Sequence, residues 1–157
     1  MPLSSSAQRV QDALTKMGYA YSVLEASEST RTAEEAAERV GCEVGQIVKS
    51  LIFQGKTSEK AILILTSGAN RVDVKRIKKY VGEKIRRADP DFVRAVTGFA
   101  IGGIPPIGHP RPLETYVDED LLQYEEIWAA AGTPKAIFKM KSNDLQGMTG
   151  GQVVSVK

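Results

Sequence analysis

"GQIVKSLIF", residues 45–53, is close to a phosphate-binding loop and close to a buried strand. A phosphate-cradling loop requires G-x-x-x-x-G-K-[ST], the second glycine standing directly before the lysine so that backbone amides curl round the phosphates. Here Gly41 and Gly45 are four apart and three residues separate Gly45 from Lys49 and Ser50, so that amide nest does not form. Read at period two, Ile47, Lys49, Leu51 and Phe53 share one face while Val48, Ser50 and Ile52 share the other, the pattern of a strand buried on both sides. Lys49 then occupies a hydrocarbon position. An unpaired ammonium there must snorkel to water, find an anion or lose its proton. A structural lysine and a functional one both satisfy this stretch.

Working outward, residues 60–66 form a second strand with apolar residues on both faces, joined to the first by the polar turn "GKTSEK". Before the pair, residues 4–17 read as a helix with serines as N-caps and Gly18 as its stop, "YAYSVLEA" reads as a strand, and Thr32 with Glu35 makes a capping box for "AEEAAERV". After it come a basic helix over 73–81, a strand near 84–88, and a helix over 90–96 with Asp89 as N-cap and Pro90 at its first position. Residues 97–113, "TGFAIGGIPPIGHPRPL", hold four glycines and four prolines, which excludes a helix or an internal strand and predicts a shaped loop. Strands near 114–118, 126–130, 136–140 and 152–156 and a short helix capped by Ser142 complete the chain. The expected fold is α+β: a single domain over residues 1–157 whose mixed, curled, barrel-like sheet is surrounded by helices.

The 157 residues, 42% hydrophobic and 25% charged, suffice for one ordinary core. "MPLSSSAQRVQDAL" lacks the blocks of a signal peptide, and no apolar run reaches the length of a membrane span, so a cytoplasmic protein without membrane association is expected. The single cysteine, Cys42, and the single histidine, His109, give no basis for an internal disulfide, a metal site or a metal cofactor. The net charge of +2 is unevenly spread: residues 71–87 carry eight Lys or Arg against Asp73 and Glu83. Such a strip attracts a phosphodiester backbone. It equally describes a solvated helix face, since Val74, Ile77 and Val81 form a stripe that excludes Lys75, Arg76, Lys78 and Lys79.

Neither G-x-S-x-G nor G-x-G-x-x-G occurs in a supporting context, which argues against a serine triad and a dinucleotide fold. The candidates that remain are Lys49, the Gly102-Gly103 pair, the loop from Pro105 to His109, and the basic strip. Adjacent glycines let backbone amides approach a ligand closely, as an oxyanion would need; they also make tight turns.

Taken together, "STRTAEEAAERVGCEVGQIVKSLIF", "TGFAIGGIPPIGH" and "YVDEDLLQYEEIWAAAGTPKAIFKM" resemble, in that order and spacing, the YbaK/ProX-like family of aminoacyl-tRNA deacylases, related to the editing insertion domain of bacterial prolyl-tRNA synthetases. The resemblance runs over roughly residues 5–156 and is most specific in "IVKSLIF" and "GGIPPIG". It implies a free-standing trans-editing enzyme that hydrolyses the ester of a mischarged small amino acid (Ala, Cys, Ser or Thr) on tRNA. Lys49, Gly102 and Gly103 would then be catalytic, the lysine holding a phosphate or polarising the ester and the glycines binding the aminoacyl group through their amides. Thr32, Ser50, Phe99, Ile104, Pro105, Gly108, His109 and Ala130 would contact substrate, and Lys75, Arg76, Lys78 and Lys79 would contact tRNA. An aminoacyl-tRNA synthetase is the implied protein partner, and no cofactor is needed, because an aminoacyl ester is already activated.

The chain departs from better-known members at two places. Ala130, Ala131 and Gly132 stand where some carry a small hydroxyl residue followed by Gly, and Ile137 stands near an acidic position. The competing reading is a non-catalytic module that binds tRNA ends or aminoacyl ligands beside a synthetase.

Overall fold

The computed structural model describes residues 2–30 and 32–157. Its centre is the antiparallel pair β2 (Ile47–Gly55) and β3 (Ala61–Ser67), in register from Val48 opposite Ser67 to Gln54 opposite Ala61. The two-faced burial expected of these strands is present. Val48, Ile52, Leu63 and Leu65 enter one apolar cluster with helix α1 (Ser5–Lys16), while Phe53, Ile62 and Ile64 enter another with Ile77 and Tyr116. Complete burial of side chains of this size stabilises by about 1.5–3 kcal/mol each, which is why alternation is lost along both strands.

Around the pair the sheet is mixed. β5 (Glu114–Asp118) runs parallel to β3, and β8 (Gln152–Val154) parallel to β5. On the other side, β6 (Glu126–Ala130) runs parallel to β2, followed by antiparallel β7 (Ala136–Lys141) and the two-residue β1 (Leu24–Glu25). The order β1-β7-β6-β2-β3-β5-β8 ends in two unjoined strands, so the sheet is open rather than closed like a barrel.

One edge of β2 is divided between two partners. β6 pairs with Ile47 and Val48, and β4 (Ile85–Arg87) pairs with Phe53, Gln54 and Gly55. On the β4 edge, Ala88 N–H donates to the Ile52 carbonyl (3.1 Å) and Lys56 N–H to the Lys84 carbonyl (2.8 Å). Backbone groups of alternate strand residues point to alternate edges, so the N–H and C=O of Ser50 turn toward this same edge, in the interval that neither strand covers.

The helices follow local signals. α2 (Ala33–Val40) is capped by Thr32, whose Oγ1 accepts from Glu35 N–H at 3.1 Å, and ends at Gly41 in the left-handed region. α3 (Val74–Val81) begins on Asp73, whose carboxylate accepts from the amides of Lys75 and Arg76, and buries Ile77. α4 (Pro90–Thr97) is capped by Asp89.

Two local expectations are corrected. The strand expected over "YAYSVLEA" shrinks to Leu24–Glu25, because the Gln11 side chain donates to the Tyr21 carbonyl and accepts from Val23 N–H, taking up groups a ladder would use. Ser142 does not cap α5 (Asp144–Thr149), since its hydroxyl donates to the Tyr124 carbonyl and Asn143 is the N-cap. Among the described residues no helix is long and apolar enough to cross a membrane.

Candidate functional site

A cavity of about 370 Å³ opens at the uncovered interval of β2. Its floor is residues 47–52; α2 contributes Ala33, Glu34 and Ala36, β6 contributes Trp128, Ala129 and Ala130, and the turn after β6 contributes Thr133 and Pro134. The loop after α4 supplies Ile101, Gly102 and Ile104, and β4 supplies Arg87 at an exposed position. The volume lies in the range of small-ligand sites, and the walls are largely hydrocarbon with few polar groups, as such sites usually are.

Of the residues singled out in the sequence, the fold gathers Thr32, Lys49, Ser50, Gly102, Ile104 and Ala130 around this cavity. Lys49 is half-buried, and its Nζ donates to the backbone carbonyl of Asn70 at 2.6 Å. Burial lowers the pKa of its ammonium, the nearby Arg71 and Arg87 act in the same direction, and Glu34 and Asp118 oppose them. Ser50 brings a buried hydroxyl without a hydrogen-bond partner among the described residues. Such an atom has lost water without compensation, which costs about 1–3 kcal/mol unless a ligand satisfies it. Thr32 stands at the rim with its hydroxyl committed to the α2 cap.

The glycine pair divides. Gly102 adopts a φ of +96° and lines the cavity. Gly103 N–H donates to the Ala100 carbonyl (3.1 Å), and its own carbonyl accepts from Gly132 N–H (2.9 Å). A Cβ at Gly103 would lie 2.6 Å from Thr133 Cα. Glycine is therefore required there for the approach of another backbone, and the two convergent amides expected of the pair are not present.

Phe99, Pro105, Gly108 and His109 stand apart from the cavity lining and form a brace behind the glycine-proline loop. Phe99 is buried, with the Arg9 guanidinium 4.0 Å from its ring centroid and His109 edge-on at 6.0 Å. Arg9 also donates to the carbonyls of Thr97 (2.8 Å) and Gly108 (3.3 Å). His109 Nε2–H donates to the Pro105 carbonyl at 2.9 Å, and burial pushes its pKa down from 6.5 to about 4, so the imidazole is neutral near pH 7. The histidine expected to contact substrate is instead part of the loop's packing.

The basic strip forms a second concavity. Lys75, Lys78 and Lys79 of α3 join Lys56 and Lys84 over a floor of Val74, Gly82 and Ile85. Arg76 is exposed but lies outside this groove. β4 links the two concavities, since Lys84 and Ile85 line the groove and Arg87 lines the cavity.

Arg87, Trp128, Thr133 and Pro134 were not anticipated from the sequence. Trp128 faces the site because it is the register partner of Ile47, a pairing between residues with no local signal in common. The charge of Arg87 was visible within the basic strip; its position at the cavity was not.

Residues 27–148 match the family model described as an aminoacyl-tRNA editing domain. The chain is 31% identical to the uncharacterized protein YwhH of Bacillus subtilis (strain 168), over 89% of its own length and 88% of that protein. It is 29% identical to EbsC of Enterococcus faecalis, named as a candidate Cys-tRNA(Pro)/Cys-tRNA(Cys) deacylase, over 83% of this chain and 79% of that one. A solved structure described as a candidate trans-editing enzyme for prolyl-tRNA synthetase superposes with a TM-score of 0.93 at 53% identity, covering 99% of each chain.

Proposed function

Because the chain belongs to the aminoacyl-tRNA editing domain family, we propose that it is a trans-acting deacylase that hydrolyses the ester between a small, wrongly attached amino acid (Ala, Cys, Ser or Thr) and the terminal ribose of a tRNA. The observation that carries this reading is Lys49, a half-buried cation that lines a mostly apolar cavity together with the unpartnered Ser50 hydroxyl.

In this reading water attacks the ester carbonyl carbon, the carbonyl oxygen takes up negative charge, and the C–O bond to the ribose breaks as the ribose oxygen gains a proton. The Lys49 ammonium stabilises the developing oxyanion or the adjacent phosphate. The Ser50 amide and hydroxyl and the Gly102 backbone supply the oriented donors, each worth on the order of 10²–10³ in rate. No nucleophilic side chain is required, since positioning an activated ester against water supplies much of the acceleration. Gly103 acts by holding the loop against Thr133. The Phe99, Pro105, Gly108 and His109 group keeps that loop in shape.

In this reading the five-lysine groove and Arg87 are the basic contacts that lead the phosphodiester backbone toward the cavity. Since the solved relative is described as serving prolyl-tRNA synthetase, tRNA charged in error by that synthetase is the proposed substrate source.

The test is release of amino acid from tRNA charged separately with alanine, cysteine, serine, threonine and proline, by wild type and Lys49→Ala in parallel. Hydrolysis of one or two small aminoacyl esters by wild type alone is expected. No release of any of them, with tRNA binding intact, would replace the deacylase by a non-catalytic binding module.

A further inference from the structure

The Lys49 side chain does not hang free in the cavity. Its Nζ donates to the backbone carbonyl of Asn70, in the turn that follows β3, at 2.6 Å. That turn is closed by Asn70 N–H on the Ser67 carbonyl (2.9 Å). The Asn70 side-chain amide spends both hydrogens on carboxylates, one on Asp118 Oδ2 (2.9 Å) and one on Asp120 Oδ2 (2.8 Å). Asp118, the last residue of β5, is 1% exposed, and its oxygens also accept from the amides of Ser67 and Asp120, both at 2.9 Å. Asp120 in turn meets Lys157 Nζ at 2.9 Å. A cation at the cavity is thus tied through one peptide and one carboxamide to a fully buried anion.

A buried carboxylate is costly, and here three N–H donors, from Ser67, Asn70 and Asp120, offset that cost. A negative charge is useful where it orients a dipole and a cation. The Asn70 carboxamide fixes the loop, the loop fixes the carbonyl, and the carbonyl holds the ammonium at one place against the turn that follows β3.

We propose that Asn70 and Asp118 are positioning residues for Lys49, acting through the Asn70 peptide to fix its ammonium against the reacting ester. This rests on the deacylase reading above only for its effect on rate; the effect on Lys49 itself does not require it. The charged groups that bear on Lys49 are Glu34 of α2, Arg71 after β3, Arg87 of β4 and Asp118 of β5. Of these, Asp118 favours the charged ammonium, so its neutralisation shifts Lys49 titration to lower pH.

The experiment pairs Asn70→Ala and Asp118→Asn with wild type. Steady-state deacylation is measured across pH, and the side-chain signals of lysine-labelled protein are titrated by NMR, with Lys49→Arg identifying the Lys49 resonance. The expected result is a roughly 10- to 100-fold fall in kcat with KM changed little, since displacement of a positioned group acts on the chemical step. In Asp118→Asn the Lys49 resonance should also titrate at lower pH. Should Asn70→Ala fail to fold, the conservative Asp118→Asn carries the test alone. Folded variants with wild-type kcat and an unmoved Lys49 titration would overturn the inference while leaving the deacylase reading intact. A moved titration with unchanged kcat would overturn the positioning role, leaving Asp118 as a charge that bears on Lys49 without placing it for the reaction.

Discussion

Ala130 and Ile137 stand opposite one another across the β6–β7 ladder, and both line the cavity. Cross-strand partners share a face, so the wall that these two residues form is hydrocarbon. Discrimination by such a wall rests on volume, at about 1–3 kcal/mol per methylene. Ala130→Leu should therefore lower kcat/KM for small aminoacyl esters by roughly tenfold or more. Ile137→Ala should raise the relative kcat/KM of a bulkier ester by a similar factor, measured in the cold to offset the roughly 2–5 kcal/mol that truncating a buried isoleucine costs. Unchanged ratios would take both residues out of the specificity wall.

Lys49→Ala should abolish deacylation without unfolding the protein, because the substitution removes a charge that burial disfavours rather than a packed hydrocarbon. Thermal melting should show a midpoint equal to or above that of wild type. The wild-type rate should fall on the alkaline side. Lys49 works as a cation, burial lowers its pKa from 10.5, and activity is lost as pH rises through that lowered value. A rate flat through the ordinary lysine value of 10.5 would separate the lysine charge from catalysis.

Gly102 and Gly103 should respond differently to alanine. At Gly103 the new Cβ would lie 2.6 Å from Thr133 Cα, forcing two backbones apart at a cost of about 1–3 kcal/mol or more. At Gly102 the nearest atom is Pro134 Cγ at 3.6 Å, and the cost is the strain of an L-residue at φ +96°. Urea unfolding should place Gly103→Ala below Gly102→Ala, while deacylation assays should show the larger loss per folded molecule for Gly102→Ala.

Much of the fold was readable because its signals are local. The Thr32 and Asp89 caps, the glycine stop at Gly41 and the double-faced strands each announce themselves within a few residues. The site is less readable, being made by register and by loop return. Asn70 and Asp118 are 48 residues apart, and nothing in either neighbourhood names the other. The Gly102-Gly103 pair shows the limit most clearly: glycine signals that something approaches closely, and only the fold reveals that at Gly103 it is the Thr133 backbone. Likewise the resemblance makes His109 a substrate contact, and only the fold shows it held by Phe99 and Pro105 away from the cavity lining.

Reversal of charge at Lys75, Lys78 and Lys79 should weaken tRNA binding and flatten its dependence on salt, by about one unit of log–log slope for each phosphate no longer neutralised. Lys56 and Lys84 complete the same groove and should behave alike, whereas Arg76 lies outside it and should matter less. Filter binding over a salt series separates these cases. Equal effects at Arg76 and Lys78 would indicate attraction to net charge rather than a track.

His109 makes the fold sensitive to acid. Its folded pKa of about 4 lies below the 6.5 of the free side chain, so the unfolded chain binds the extra proton between those values. Stability contributed by the neutral imidazole is complete above pH 6.5 and is lost as pH falls toward 4. The loss should reach about 1–3 kcal/mol, a range reduced for the ring's partial exposure. His109→Gln retains a donor for the Pro105 carbonyl but does not titrate. Urea midpoints at pH 7 and pH 4.5 should therefore differ less in His109→Gln than in wild type. An equal drop in both proteins would assign the acid sensitivity to carboxylates instead, Asp120 among them, since its bonds to Asn70 and Lys157 hold its pKa below the ordinary range.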